Sequence, residues 1–264
     1  MIGYFEATDV PTGAAVVRAA AERLRGLGAE RVLGPMNGST WARYRLALPP
    51  ESGEAARPPF LSEPTNPEWY PACFDEAGFA PVSRYLSRLA PLDSLSDAAA
   101  RAEPRVAGAG IRIVPLEAAN FAAALDELYD LSVEAFASNP YYSPLPREAF
   151  RQMYEPMRPL VDYGLVLLAR GDDDRAVGFM FGFPDLLDPA GRPTRFIIKT
   201  LAVANQARGL GLGTLLMHEG HRRAEAIGMI GAIHALMHED NPSHRISRHG
   251  GDVYRRYALY GWQG

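Results

Sequence analysis

The sequence predicts an α/β fold of the layered α+β type: a mixed, mostly antiparallel sheet flanked by helices, with a partial half domain of similar design in front of it. Three observations lead there. After residue 109, strand-like and helix-like stretches follow one another as β-α-α-β-β-β-α-β-(short α)-β. At residues 201–216 a strand runs through a glycine-rich turn into a helix. Residues 2–86 repeat, in weaker form, the events of residues 196–260.

Taken in order, residues 2–6 are strand-like. Val16, Val17, Ala20, Leu24 and Leu27 form a helical stripe ended by Gly28, and residues 31–33 read as a strand. Pro49, Pro50, Pro58, Pro59, Pro64 and Pro67 make residues 49–67 an irregular loop. An amphipathic segment follows, then Gly78-Phe79 and a last strand at 82–86. Pro104, Gly108 and an alanine run make 93–108 a linker with room for a short helix. The chain therefore divides into 1–92, 93–108 and 109–264.

In the third part, Ile111 and Ile113 alternate as in a strand. Phe121, Ala124, Leu125, Leu128, Leu131, Ala135 and Phe136 keep helical spacing. Residues 146–161 suggest a second helix, interrupted by Pro156 and Pro159. Residues 165–169 and 177–183 are strands joined by the polar turn 172–174. A strand at 196–203, a helix at 211–227 stopped by Gly228, a strand at 229–237 and a final alternating strand through Val253, Arg255, Tyr257 and Leu259 complete it. The repeat shows in the pairs Gly28 and Gly228, Asn66-Pro67 and Asn241-Pro242, and Gly78 and Gly250-Gly251. The front part has no equivalent of residues 109–190. A lone half-sheet exposes an edge, so it should pair with the other half or with a second copy, as in a homodimer.

Composition narrows the function. The 264 residues are 47% apolar and 22% charged with net charge −4, ordinary for a globular protein and unlike a nucleic-acid binder, which needs a basic face. Cys73 is the one cysteine and reads as a buried core thiol in a reducing compartment. No apolar run is long enough to span a membrane. The start carries Glu6 and Asp9 and no basic region, so no signal peptide is expected and the location should be cytoplasmic.

The most informative stretch is Arg208-Gly209-Leu210-Gly211-Leu212-Gly213-Thr214, at the junction of strand and helix. Successive main-chain N–H groups at a helix start bind anions, glycines let the backbone close on a pyrophosphate, and Arg208 adds a charged donor. A P-loop would need Gly-Lys-Ser/Thr, which is absent. The dinucleotide fingerprint Gly-x-Gly-x-x-Gly would need a glycine at Thr214. The pattern Arg/Gln-x-x-Gly-x-Gly/Ala is met twice, by Arg208, Gly211 and Gly213 and by Gln206, Gly209 and Gly211.

This block and the strand order resemble the GNAT (Gcn5-related N-acetyltransferase) superfamily, over residues 109–264. The front part resembles the back half of a second such domain, as in tandem-domain members; Asn66-Pro67 and Ala77-Gly78-Phe79 look like the family's late Asn…Gly-Phe block. Residues 8–14 lack the glycine pattern, so that half is expected not to bind CoA. The resemblance implies direct transfer of an acetyl group from acetyl-CoA to a primary amine, on a small molecule or a peptide, in a ternary complex. It implies that Leu201, Ala202 and Val203 meet the acyl and pantetheine groups, that Arg208 to Thr214 hold the pyrophosphate, and that Asn241 contacts the pantetheine.

Acyl transfer needs a neutral amine, donors for the oxyanion, an acid for the thiolate and alignment of the two substrates. The family often places a tyrosine acid shortly after the late asparagine. Here that stretch holds Ile246, Ser247, Arg248 and His249; the nearest tyrosines are Tyr254, Tyr257 and Tyr260. Phe74 stands near that place in the front part. His234 and His238, on one strand face, and Glu239 are the base candidates, and each also fits a structural role. His218-Glu219-Gly220-His221 is not His-Glu-x-x-His, because Arg222 takes the fifth place, so no metal is expected. Tyr141 and Tyr142 either line an acceptor pocket or pack a loop. A non-catalytic acyl-CoA-binding protein is the rival reading, motivated by the missing tyrosine. A nucleotide-binding domain is a second, weakened by Thr214.

Overall fold

The computed structural model describes residues 1–247 and 251–262; Arg248, His249, Gly250, Gln263 and Gly264 lie outside the described residues. The front part holds helix α1 (Val10–Gly26), the short strands β1 (Leu33–Gly34) and β2 (Leu46–Ala47), helix α2 (Tyr70–Glu76) and strand β3 (Phe79–Ala90). Helix α3 (Ser96–Gly108) and strand β4 (Arg112–Pro115) lead to helices α4 (Phe121–Phe136) and α5 (Arg147–Tyr154). Strands β5 (Val166–Arg170), β6 (Ala176–Pro184) and β7 (Arg195–Val203), helix α6 (Leu212–Ala226), strand β8 (Gly231–His238), helix α7 (Pro242–Ser247) and strand β9 (Asp252–Trp262) follow.

Three expectations are corrected. Residues 2–6 are not a strand: Ile2 exchanges backbone hydrogen bonds with Leu33 and Met36 (2.7 and 2.8 Å) and the chain then leaves the sheet. The buried side of α1 is Gly13, Ala14, Val17 and Ala21, while Val16 and Leu27 of the expected stripe are exposed. The cause is close packing on α2: a Cβ on Gly13 would stand 2.5 Å from the sulfur of buried Cys73, so the small-residue face turns inward. Residues 93–108 are largely the 13-residue helix α3, which buries Ala99, Ala102 and Val106. Pro156 and Pro159 do what was expected of them, since α5 passes into the 3-10 helix Glu155–Leu160.

The described strands form one sheet in the order β1-β9-β3-β8-β7-β6-β5-β4, with β2 also on β9. Every pair is antiparallel except β7 with β8. The two parts exchange strands reciprocally. β1 of the front part pairs with the final strand β9, β8 pairs with the front part's β3, and β3 pairs with β9 between them. The front half-sheet therefore pairs with the other half of the same chain. One core fills the space between the sheet and α4 and α6; a second lies between α1, α2 and the outer strands.

Candidate active site

The glycine turn opens where β7 ends. Arg208 is exposed and its guanidinium donates to the Ala135 carbonyl at the end of α4 (3.3 Å). Gly209 has φ +83° and Gly211 φ +91°, the left-handed region that side chains resist. Leu212 and Leu216 are buried and anchor α6, but no side chain caps its start and no acidic residue stands in its first turn. The first N–H groups of α6 therefore face outward without an intrahelical partner, at the positive end of the helix dipole. A Cβ on Gly209 would meet nothing, so that glycine is required by conformation alone. A Cβ on Gly211 would stand 2.6 Å from the Ala102 Cβ of α3 and 3.4 Å from Nη2 of Arg105. The helix expected as a linker thus closes one side of the turn and brings a second guanidinium, which the sequence reading did not assign. At Gly213 the nearest atoms are Ile246 (3.4 Å) and Leu201 (3.5 Å), and half-buried Leu210 and Thr214 flank it.

Behind the turn the sheet splits. β7 and β8 pair in parallel only from Arg195–Gly231 to Ile198–His234. One extra residue, Lys199, then bulges out of the β6–β7 ladder between the pairs Gly182–Ile198 and Phe181–Thr200. From there Thr200, Leu201, Ala202 and Val203 on one side and residues 235–238 on the other diverge. Leu236 holds φ +60°, a strained value for its type, and its N–H donates to Ser87 Oγ (3.0 Å).

A chamber of about 610 Å³ opens from this cleft on the α4–α5 face of the sheet. Its walls are mostly apolar and aromatic, among them Phe121, Leu125, Phe150, Tyr154, Phe179 and Phe181. The front part forms its roof through residues 40–45 and 62–64. Trp41 locks that roof down: its ring packs on Phe150 (5.5 Å between centroids) and its N–H donates to the Ser143 carbonyl (3.0 Å). Tyr142 lines the chamber and has a buried hydroxyl without a partner among the described residues; Tyr141 is at φ +61° beside the Met36–Tyr257 cluster.

One end of the chamber is polar. Glu63 is buried there, and its carboxylate accepts from the Tyr257 hydroxyl, from Arg255 Nε (2.8 Å) and from the Phe60 N–H (3.2 Å). Burial raises its pKa against the pull of these donors. Arg45 lies over the rings of Tyr44 (4.2 Å) and Tyr85 (4.4 Å) and donates to the Leu236 carbonyl (3.3 Å). Lys199 donates to the Ser62 carbonyl (3.2 Å), and burial pushes its amine down to about 7, helped by Arg45 and opposed by Glu63. Glu63 has no local signal, because its partners lie far along the chain. Lys199 has one: among 27 lysines and arginines it is the sole lysine, set in an apolar strand.

The three base candidates fare differently from one another. His234 is fully enclosed with both ring nitrogens engaged. Leu92's carbonyl only accepts, so His221 Nδ1 carries the proton there (3.0 Å), and His221 Nε2 accepts from His234 Nε2 (2.9 Å). His234 Nδ1 then accepts from Ser247 (2.7 Å). Burial pushes His221 down to about 4 and His234 well below its usual range, so the pair is a neutral strut joining α6, β8 and α7. His238 is similarly tied: Nδ1 accepts from the Asp240 N–H (3.1 Å), which leaves Nε2 to donate to Ser83 (3.0 Å). Glu239 is exposed and not part of the chamber lining. Asn241 lines the cleft and its side chain accepts from the Ser243 N–H (3.2 Å) at the start of α7. Tyr254, Tyr257 and Tyr260 are buried in the sheet and none is among the lining residues. Among the described residues no cluster of His, Cys, Asp and Glu is placed to hold a metal, and no helix is long and apolar enough to cross a membrane.

Residues 125–250 match the Acetyltransferase (GNAT) family. No curated protein matches the chain. Among solved structures it is similar to a GCN5-related N-acetyltransferase from Sphaerobacter thermophilus, at 20% identity over 71% of this chain and 54% of that one, with a TM-score of 0.52. It is similar to the GCN5-related glucosamine N-acetyltransferase region of a fungal multi-domain GH3 β-N-acetylglucosaminidase, at 16% identity over 92% of this chain and 27% of that one, TM-score 0.56. A tandem GNAT protein from the clavulanic acid biosynthesis pathway matches at 15% identity over 94% of this chain and 68% of that one, TM-score 0.51. The chain thus spans only part of the length of the first two, and at these identities the likeness is one of fold.

Proposed function

We propose, on the premise that residues 125–250 are a GNAT-family domain, that this chain transfers an acetyl group from acetyl-CoA to a primary amine. The observation that carries the reading is the uncapped start of α6 at the mouth of a strand split that leads into a deep, mostly apolar chamber. The residues fit the co-substrate. Arg208 and the N–H groups from Gly209 to Thr214 suit its pyrophosphate, with Arg105 as a second cation. The diverging backbones of β7 and β8 offer unpaired groups to the pantetheine arm, and Asn241 flanks it. Acetyl-CoA supplies the activated acyl group; the protein aligns it, shields it from water and removes the amine's proton.

The chamber is the acceptor's place. Its aromatic and aliphatic walls suit an amine on an apolar body, delivered with its nitrogen toward the polar end. In this reading the front part has no CoA turn of its own and serves as the acceptor's roof. A panel of primary amines of rising apolar size, assayed for acetyl-CoA consumption, tests this. Slow thioester hydrolysis without preference for any amine would favour an acyl-CoA-binding protein.

A further inference from the structure

We propose that Lys199 is the proton acceptor of the transfer. This rests on the acetyltransferase reading and adds to it a catalytic residue at the acceptor amine.

Three independent observations converge on it. The first is position: Lys199 is the bulged residue at the point where β7 leaves β8, so its amine reaches the polar end of the chamber beside the mouth of the cleft. The second is the choice of residue. A chain that otherwise uses arginine for every cation has its one lysine here. Arginine cannot give up its proton in a protein, whereas a half-buried lysine such as Lys199 can. The third is the surroundings. Arg45 and Glu63 from the roof, Tyr85 from β3 and His238 from β8 share this end, and Arg255 and Tyr257 hold Glu63 from behind. Arg45 favours the neutral amine and Glu63 the charged one, while burial favours neutrality. His234 and His238 have their lone pairs engaged, which leaves Lys199 as the unshielded base at this end.

The step balances without another reactant. The neutral acceptor amine attacks the thioester carbon and a C–N bond forms. The proton released from that nitrogen moves to Lys199 Nζ. The C–S bond breaks, and the thiolate takes the proton that Lys199 collected, which restores the neutral lysine. The products are the amide and free CoA thiol.

Being the only lysine, the residue can be watched alone. In protein grown on lysine labelled with ¹³C at Cε, a single resonance should titrate with a midpoint near 7. A midpoint near the ordinary 10.5 would overturn the proposal. In parallel, Lys199→Met and Lys199→Arg are assayed with the fastest amine of the panel, and their acetyl-CoA affinity is measured by calorimetry. Both variants should lose about 100- to 10,000-fold in kcat, and the acid limb near pH 7 should vanish. Both should bind acetyl-CoA within about threefold of the parent. If Lys199→Arg keeps the rate and the limb, the side chain merely holds the Ser62 carbonyl and the proposal falls. Absence of acetyl-CoA binding in the parent sinks the transferase reading itself, a separate failure.

Discussion

α1 and α6 occupy comparable places: each leads into a short turn and a strand of the same sheet, and β1 and β8 pair reciprocally with β9 and β3. Their starts differ in kind. Asp9 caps α1, its carboxylate accepting from the Thr12 N–H (2.8 Å), and Pro11 sits in the first turn. A negative group already satisfies the positive end of that helix. α6 starts on Gly211 with no cap, no acidic residue in its first turn and arginines on both flanks. Two helices in like positions thus differ in whether their positive end is capped by their own chain. The difference lies in a handful of residues and needs no change of fold.

Putting a carboxylate into the glycine turn before α6 is the severest way to erase the contrast. Gly209→Asp has room for its side chain, so its main consequence should be electrostatic: acetyl-CoA affinity should fall about a hundredfold or more, read by calorimetry. The ligand-free melting temperature should drop only modestly, from the left-handed φ. If affinity is unchanged, the turn is not the phosphate site. The roof supplied by the front part sharpens the comparison further, because that half then acts on the acceptor alone. Across a series of primary alkylamines, kcat/KM should rise about fourfold per methylene until the chamber fills. A flat series would remove the chamber's apolar walls from substrate selection.

The smallest effect is expected at the capped helix start. Asp9→Ala should lower the melting temperature by a few degrees and leave acetyl-CoA binding untouched. The Thr12 N–H holds the Asp9 carboxyl below its ordinary value of 3.8, so its contribution is complete above that value. The gap between parent and variant should therefore close as pH falls below 3.8 through the folded value. A gap that persists in acid would mean that the helix is damaged in some other way.

What the sequence disclosed follows the range of the interactions. The glycine turn and the β5–β6 hairpin are local and could be read directly. So could the prolines that end α5. α3 was obscured by Pro104 and its alanines, although Ala99, Ala102 and Val106 already carry helical spacing. That the front half-sheet needs a partner could be read, but not which strands meet, because pairing of β3 with β9 joins residues far apart in the chain. The same holds for Glu63, whose meaning depends on Arg255 and Tyr257. His234 looked like a base because its neighbours His221 and Ser247 belong to other elements. Lys199 was legible only as a count, one lysine against many arginines, until the bulge gave it a place.

We propose above all that the turn from Arg208 to Gly213 holds the pyrophosphate of acetyl-CoA. Calorimetric titration of acetyl-CoA into the parent and into Arg208→Ala tests it most directly. The parent should bind in the micromolar range and the variant should lose about 1.5–3 kcal/mol, roughly ten- to a hundredfold. No binding by the parent, or equal binding by the two, would contradict it.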